Sequence, residues 1–214
     1  MASMAAQKRP LVLGHRGASG QLPENVLAAF DLAVDQGADG VELDVVPTKD
    51  GKLIVRHENN LSLTTNASGR YPERVRTKVV EGREERGVFS EDLSLDEVRE
   101  LRATQRFDFR NRSHDGVYPI PTFAEALAWR AERSAAAGRE LLMHVEVKSP
   151  AHFLALGLAT EPLILAALGK LDRPDSPITL VSFDHQALAN LRDRTAVPLT
   201  PILHPREPVP TPEG

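Results

Sequence analysis

The 214 residues contain no cysteine. That excludes a disulfide framework, a thiolate metal site and a cysteine nucleophile, and it leaves the redox compartment undetermined. No apolar run reaches membrane-spanning length, so stable insertion into a bilayer is not expected. The segment from Met1 to Pro10 carries Lys8 and Arg9 but no apolar signal core. The chain therefore reads as cytoplasmic, or as extracytoplasmic if an export signal is missing from it. Basic residues do not dominate: 26 Lys and Arg face 30 Asp and Glu, for a formal charge of -4. Without an overall basic field, a nucleic-acid partner is not expected. A G-x-S-x-G nucleophile elbow is also missing, so Ser182 and Asp184 are not read as parts of an acyl-transfer site.

With 41% hydrophobic residues the chain can build one sizeable core, and a single domain over 1–214 is the expectation. Leu11-Val12-Leu13 reads as a strand ending at Gly14, followed by a glycine-rich loop and a helix through Val26, Leu27, Phe30, Ala33 and Val34. Val41 to Val45 alternates apolar and acidic residues with period two, and Asp50-Gly51 suits a tight hairpin returning through Leu53-Ile54-Val55. Residues 58–118 are polar and rich in Arg and Glu. They read as an insertion outside the core, with one helix at Leu95 to Leu101 opened by the capping box Ser94/Glu97. A second box, Thr122/Glu125, opens a helix through Ala137 that Gly138 ends. Leu141 to Val147, Ile178 to Phe183 and Leu199 to Leu203 read as strands; Phe153 to Leu171 reads as a helix interrupted at Pro162, and Gln186 to Arg192 as another. Strands alternating with helices predict a parallel α/β fold. The proline-rich tail 204–214 is expected to be disordered.

Glu42 and Asp44 share one strand face, with Val41, Leu43 and Val45 opposed. His144, Glu146 and Lys148 repeat that geometry on a later strand. An exposed face with two solvated acids would show the same alternation, but inward polar residues on two strands of a parallel barrel would meet at its C-terminal rim. Close carboxylates repel unless a cation lies between them, and oxygen ligands without cysteine favour Ca²⁺ or Mg²⁺ over zinc. His15 and His57 each end a strand, and the Asp50-Gly51 turn returns residue 57 beside Asp44. One imidazole could take a proton and the other give one. His114, His144, His152, His185 and His204 are read as ordinary hydrogen-bonding residues.

Together the residues Gly14-His15-Arg16-Gly17, Pro23-Glu24-Asn25, Ala29-Phe30, Glu42-Leu43-Asp44-Val45, Thr48-Lys49-Asp50-Gly51, His57, Leu61, Thr64-Thr65 and Glu146-Val147-Lys148 form an ordered pattern. It resembles the glycerophosphodiester phosphodiesterases from about residue 11 to 203, and the segments around Arg76 to Asp92 and Pro121-Thr122-Phe123 look like the longer-insertion bacterial branch. The resemblance implies a TIM-type (β/α)₈ barrel with the insertion over its mouth. It implies Glu42, Asp44 and Glu146 as ligands of one divalent cation, Ca²⁺ or Mg²⁺, and His15 and His57 as the acid/base pair. Arg16 and Lys148 match residues that neutralise the phosphate. Glu24 and Asn25 are weaker candidates, since Asn25 also suits a helix cap. The implied reaction releases sn-glycerol 3-phosphate and an alcohol from a small glycerophosphodiester.

Two departures accompany the resemblance. His57-Glu58 stands where most of the family has His-Asp. About five of the eight barrel strands are legible, near residues 11, 41, 142, 179 and 199, so the expectation is a C-terminally truncated barrel whose open edges invite self-association. The competing expectation is an inactive remnant that binds metal or glycerophosphodiesters. Phospholipase chemistry on intact lipids would need an apolar loop that the charged stretch 70–92 does not offer.

Overall fold

The computed structural model describes residues 9–203. Its centre is a six-stranded sheet in which β1 (Leu13–His15), β2 (Gly40–Pro47), β6 (Leu142–Val147), β7 (Ile178–Ser182) and β8 (Leu199–Pro201) follow one another in parallel. The remaining strand, β3 (Leu53–Val55), turns back on β2 through Asp50-Gly51 and pairs antiparallel, Val45 opposite Val55. That register brings Arg56 opposite Asp44, one residue before the His57 expected from the turn. The parallel strands alternate with α1 (Leu27–Asp35), α4 (Phe123–Ala137), α5 (Pro150–Ala155), α6 (Thr160–Leu168) and α7 (His185–Leu191). This is a parallel α/β architecture, as the alternation predicted, and of the (β/α)₈-barrel type that the resemblance implied.

The period-two pattern of β2 and β6 sorts the side chains as read. Val41, Leu43, Val45, Val145 and Val147 are buried beneath the helices with Phe30, Phe123, Trp129, Ile164 and Leu168. The acids therefore take the other face. Both capping boxes form: Ser94 opens α3 (Leu95–Arg99) and Thr122 opens α4, and Gly138 ends α4 in the left-handed conformation at φ 61°. The helix expected over 153–171 is instead two helices. The break falls at Gly157, φ +74°, and Pro162 sits inside the first turn of α6, where a missing N–H costs nothing.

The segment 58–118 corrects the reading that it lies outside the core. Leu61, Val88, Leu93, Val98, Leu101 and Ala103 are fully buried together with Ile54, Val46 and Phe153 of the barrel elements. It also holds a short helix, α2 (Ala67–Arg70), and a hairpin of β4 (Arg76–Val80) and β5 (Arg83–Gly87). The hairpin escaped the sequence reading because both faces are polar, so no hydrophobic alternation marks it. Its turn, Glu81-Gly82, has positive φ at both residues, as the type I′ hairpin turn requires. The tail 204–214 and His204 lie outside the described residues. No helix among the described residues is long and apolar enough to cross a membrane.

Candidate active site

The Gly14-His15-Arg16-Gly17 loop sets the first wall. Gly17 has φ +78°, and a Cβ there would lie 2.6 Å from the backbone of Ala29, so the loop rests directly on α1. Arg16 itself is left-handed at φ 58°, with its N–H directed to the carbonyl of Glu42 at 3.0 Å and to its carboxylate at 3.1 Å. Its guanidinium consequently reaches Asp44 Oδ2 at 3.3 Å and donates to Glu24 Oε1 at 3.2 Å. Asn25, left-handed at φ 59°, donates from Nδ2 to Asp44 Oδ2 at 2.8 Å. It does not cap α1; the residue in the cap position is Val26, which offers no acceptor. Asn25 and Glu24 thus both belong to the environment of Asp44.

Arg56 holds this wall from behind and was not legible in the sequence. Its fully buried guanidinium donates to the carbonyls of Glu24 at 2.5 Å, Asn25 at 2.9 Å and Val55 at 2.7 Å. Burial pushes its pKa down to about 10, the charges of Glu24 and Glu58 opposing the shift.

Asp44, Glu146 and His57 each offer a ligand atom, and these atoms lie within 4.8 Å of one another. Glu42 falls outside that group, since its carboxylate accepts from Arg16 and lies 3.8 Å from His15 Nε2. Burial, and then repulsion from Asp44, pushes Glu42 up to about 8; burial is also the chief cause raising Asp44. Asp44 Oδ1 is buried without a hydrogen-bond partner. A buried carboxylate oxygen left unpaired among like charges fits a divalent cation bound by hard oxygen ligands.

His57 Nδ1 lies 2.6 Å from Glu58 Oε1, and its Nε2 lies 3.2 Å from Lys148 Nζ. An ionised carboxylate and an ammonium can only accept and only donate, respectively, so the proton is on Nδ1 and the lone pair on Nε2. Burial alone would raise Glu58, but hydrogen bonds from His57 and Arg106 hold it well below the usual carboxylate range. Lys148 also donates to Glu146 Oε1 at 2.8 Å. His15 sits exposed at the rim; partial desolvation in the cleft, then the Arg16 cation, lowers its pKa.

Two cavities meet here. One of about 610 Å³ is lined by His15, Arg16, Glu42, His57, His144 and Glu146, among others. The other, about 680 Å³, runs from His57, Glu146 and Lys148 toward Glu81 and Arg83 at the hairpin tip. Phe183 lines both, with Lys148 Nζ 5.8 Å from its ring centre. The sequence reading had it only as the last residue of a strand, and the observed strand ends one residue earlier, at Ser182. His144, read as ordinary, faces the first cavity. Ser182 and Asp184 are structural: Ser182 donates to the Val147 carbonyl at 2.9 Å, and Asp184 caps α7. His152 contacts Asn59 and Glu91, His185 contacts the Ile202 carbonyl, and His114 stacks on Tyr118.

A parallel α/β sheet of barrel type with acids and histidines gathered at the C-terminal ends of its strands defines the class of this protein. The sequence profile of the glycerophosphoryl diester phosphodiesterase family matches residues 15–213, and the chain belongs to that family. It is similar to a glycerophosphodiester phosphodiesterase of Arabidopsis thaliana, 38% identical over 144 residues, which are 66% of this chain and 38% of that protein. A glycerophosphodiester phosphodiesterase of Caldanaerobacter subterraneus subsp. tengcongensis is 30% identical over 86% of this chain and 62% of its own length. The chain thus spans between 38% and 62% of these curated relatives. Among solved structures, an Oleispira antarctica phosphodiesterase in complex with sn-glycerol-3-phosphate superposes with a TM-score of 0.67 at 24% identity, covering 90% of this chain and 65% of that one.

Proposed function

We propose that this chain hydrolyses glycerophosphodiesters to sn-glycerol 3-phosphate and an alcohol in a divalent-metal-dependent reaction. The observation that carries this reading is the meeting of Asp44, Glu146 and His57 within 4.8 Å around an unpartnered buried oxygen of Asp44, in a chain of this family. Asp44 and Glu146, with Glu42 beside them, would hold one Ca²⁺ or Mg²⁺, which when bound supplies positive charge to the phosphoryl oxygens. Arg16 and Lys148 add fixed positive charge toward the same anion as its charge builds. Glu24 and Asn25 keep Arg16 and Asp44 in place. His57, its Nδ1 proton committed to Glu58, presents the Nε2 lone pair, and with His15 on the same cavity it forms the acid/base pair: one ring takes the proton of the attacking oxygen, the other delivers one to the leaving alcohol. Cavities of this size suit a small phosphodiester. The relative from Oleispira antarctica holds sn-glycerol-3-phosphate, which supports the same product here.

A second reading is a chain that binds metal and glycerophosphodiesters without turnover. One assay separates the two: release of glycerol 3-phosphate from glycerophosphocholine with Ca²⁺, with Mg²⁺ and with excess chelator, His57→Ala serving as the blank. Metal-dependent release lost in His57→Ala is the expected result. Cooperative folding and glycerol 3-phosphate binding without release would overturn hydrolysis in favour of binding alone.

A further inference from the structure

The charged groups of the site form one alternating chain, and its middle member comes from the inserted segment. Asp44 meets Arg16 at 3.3 Å, and Arg16 donates to Glu24 at 3.2 Å. Arg106 then bridges Glu24 to Glu58, and Glu58 holds His57 Nδ1 at 2.6 Å. Arg106 uses Nε and Nη2 on the two oxygens of Glu24, at 2.7 and 2.6 Å, and Nη1 and Nη2 on those of Glu58, at 2.5 and 2.6 Å. These bonds engage four of the five N–H groups a guanidinium has, so Arg106 has little left to offer a phosphate. It is flanked by carboxylates 82 and 48 positions away in sequence. Neighbouring side chains anchor the segment independently: Gln105 Nε2 donates to the carbonyls of Leu22 and Ser19 at 2.9 and 3.1 Å, and Arg110 donates to that of Ser19 at 2.8 Å.

We infer that Arg106 is a positioning residue for the proposed hydrolysis, the tie by which the inserted segment orients His57 through Glu58 and Arg16 through Glu24. The inference rests on the functional reading above, because it assigns His57 and Arg16 their tasks. The physical reason is geometric. Without a second partner the longer Glu58 side chain is free to rotate away from Nδ1, and the contact of Lys148 Nζ with Nε2 at 3.2 Å is then left alone to hold the ring. A bidentate guanidinium locks both carboxylates in one plane, which a lysine ammonium cannot do.

The test uses the metal-loaded chain and four variants: Arg106→Gln, Arg106→Lys, Glu58→Gln and the double variant Arg106→Gln/Glu58→Gln. Misplacement of an acid/base group predicts that Arg106→Gln lowers kcat by about 10- to 100-fold while KM stays within about twofold. Arg106→Lys should recover part of that loss. The double variant should be no slower than the worse single variant, because both remove the same tie. In parallel, ¹⁵N-histidine NMR, with His57→Ala to identify the signal, should show His57 as the Nδ1-protonated tautomer, redistributed in Arg106→Gln. A kcat within twofold of the parent, losses in Arg106→Gln and Glu58→Gln that multiply, or an unchanged His57 signal would each overturn the inference. A parent chain without turnover would strike the functional reading alone, and the His57 signal would still decide the role of Arg106.

Discussion

Asp44 carries the sharpest local conflict in the molecule: a fully buried carboxylate with one oxygen bound by Asn25 and near Arg16, and the other unpaired. Replacing it by asparagine removes the charge but keeps the shape. Asp44→Asn should therefore leave the metal-free melting temperature unchanged or raised while weakening Ca²⁺ or Mg²⁺ binding at least about 100-fold, as read by calorimetry. Glu24 presents the opposite case. Burial alone would raise its pKa, but the hydrogen bonds and charge of Arg106, followed by the charges of Arg16 and Arg56, bring it below its ordinary 4.5. A carboxylate with a depressed folded value stabilises the fold above the unfolded value, and that contribution is lost as pH falls through the folded one. Urea midpoints should accordingly fall on acidification below about pH 4.5, and Glu24→Gln should flatten that dependence. The acids on β2 and β6 were legible because period-two alternation is a property of neighbouring residues. Arg56 and Arg106 were not, because a buried arginine looks like a surface one until its partners arrive from elsewhere in the chain.

Among the elements, the loop between β1 and α1 is the least forgiving. Gly17 and Gly82 have nearly the same backbone conformation, φ +78° and +77°, but Gly82 has open space around it whereas Gly17 touches Ala29. Gly82→Ala should cost only the left-handed penalty, about 1 to 2 kcal/mol, while Gly17→Ala adds a backbone clash and should cost more than about 2 kcal/mol by urea unfolding. Equal losses would mean that the loop yields freely from α1. Helix starts were read correctly at Ser94 and Thr122 because a capping box lies within four residues and needs no tertiary partner. The β4–β5 hairpin was missed for the complementary reason. Its pairs, such as Lys78 with Glu85, put polar groups on both faces, and what holds it is Lys78 reaching Glu91 and Asp92 at 2.9 Å.

At the scale of the whole molecule, two buried clusters meet along β2 and β3, one beneath the barrel helices and one inside the inserted segment. The site lies where both are anchored, so a cation bound there should stabilise the chain globally. At a free metal concentration 100 times the dissociation constant the gain is about 2.7 kcal/mol, visible as a higher melting temperature that chelator reverses and Asp44→Asn abolishes. A melting temperature indifferent to Ca²⁺ and Mg²⁺ would count against a metal at this position. The order of the parallel strands, the two capping boxes and the sorting of valines from acids on β2 and β6 were determined by sequence alone, through short-range periodicity, whereas a shared site for His15, His57, Glu42, Asp44 and Glu146 was implied by the resemblance to the family. Tertiary structure decided that the polar insertion has a core, that Asn25 serves Asp44 and not α1, and that the Glu42 carboxylate accepts from Arg16. It also decided that Arg56 and Arg106 stand behind the site. Each of these depends on which groups meet across long stretches of chain, apolar side chains in the insertion and donors with oxygens around the site, and local pattern does not encode that.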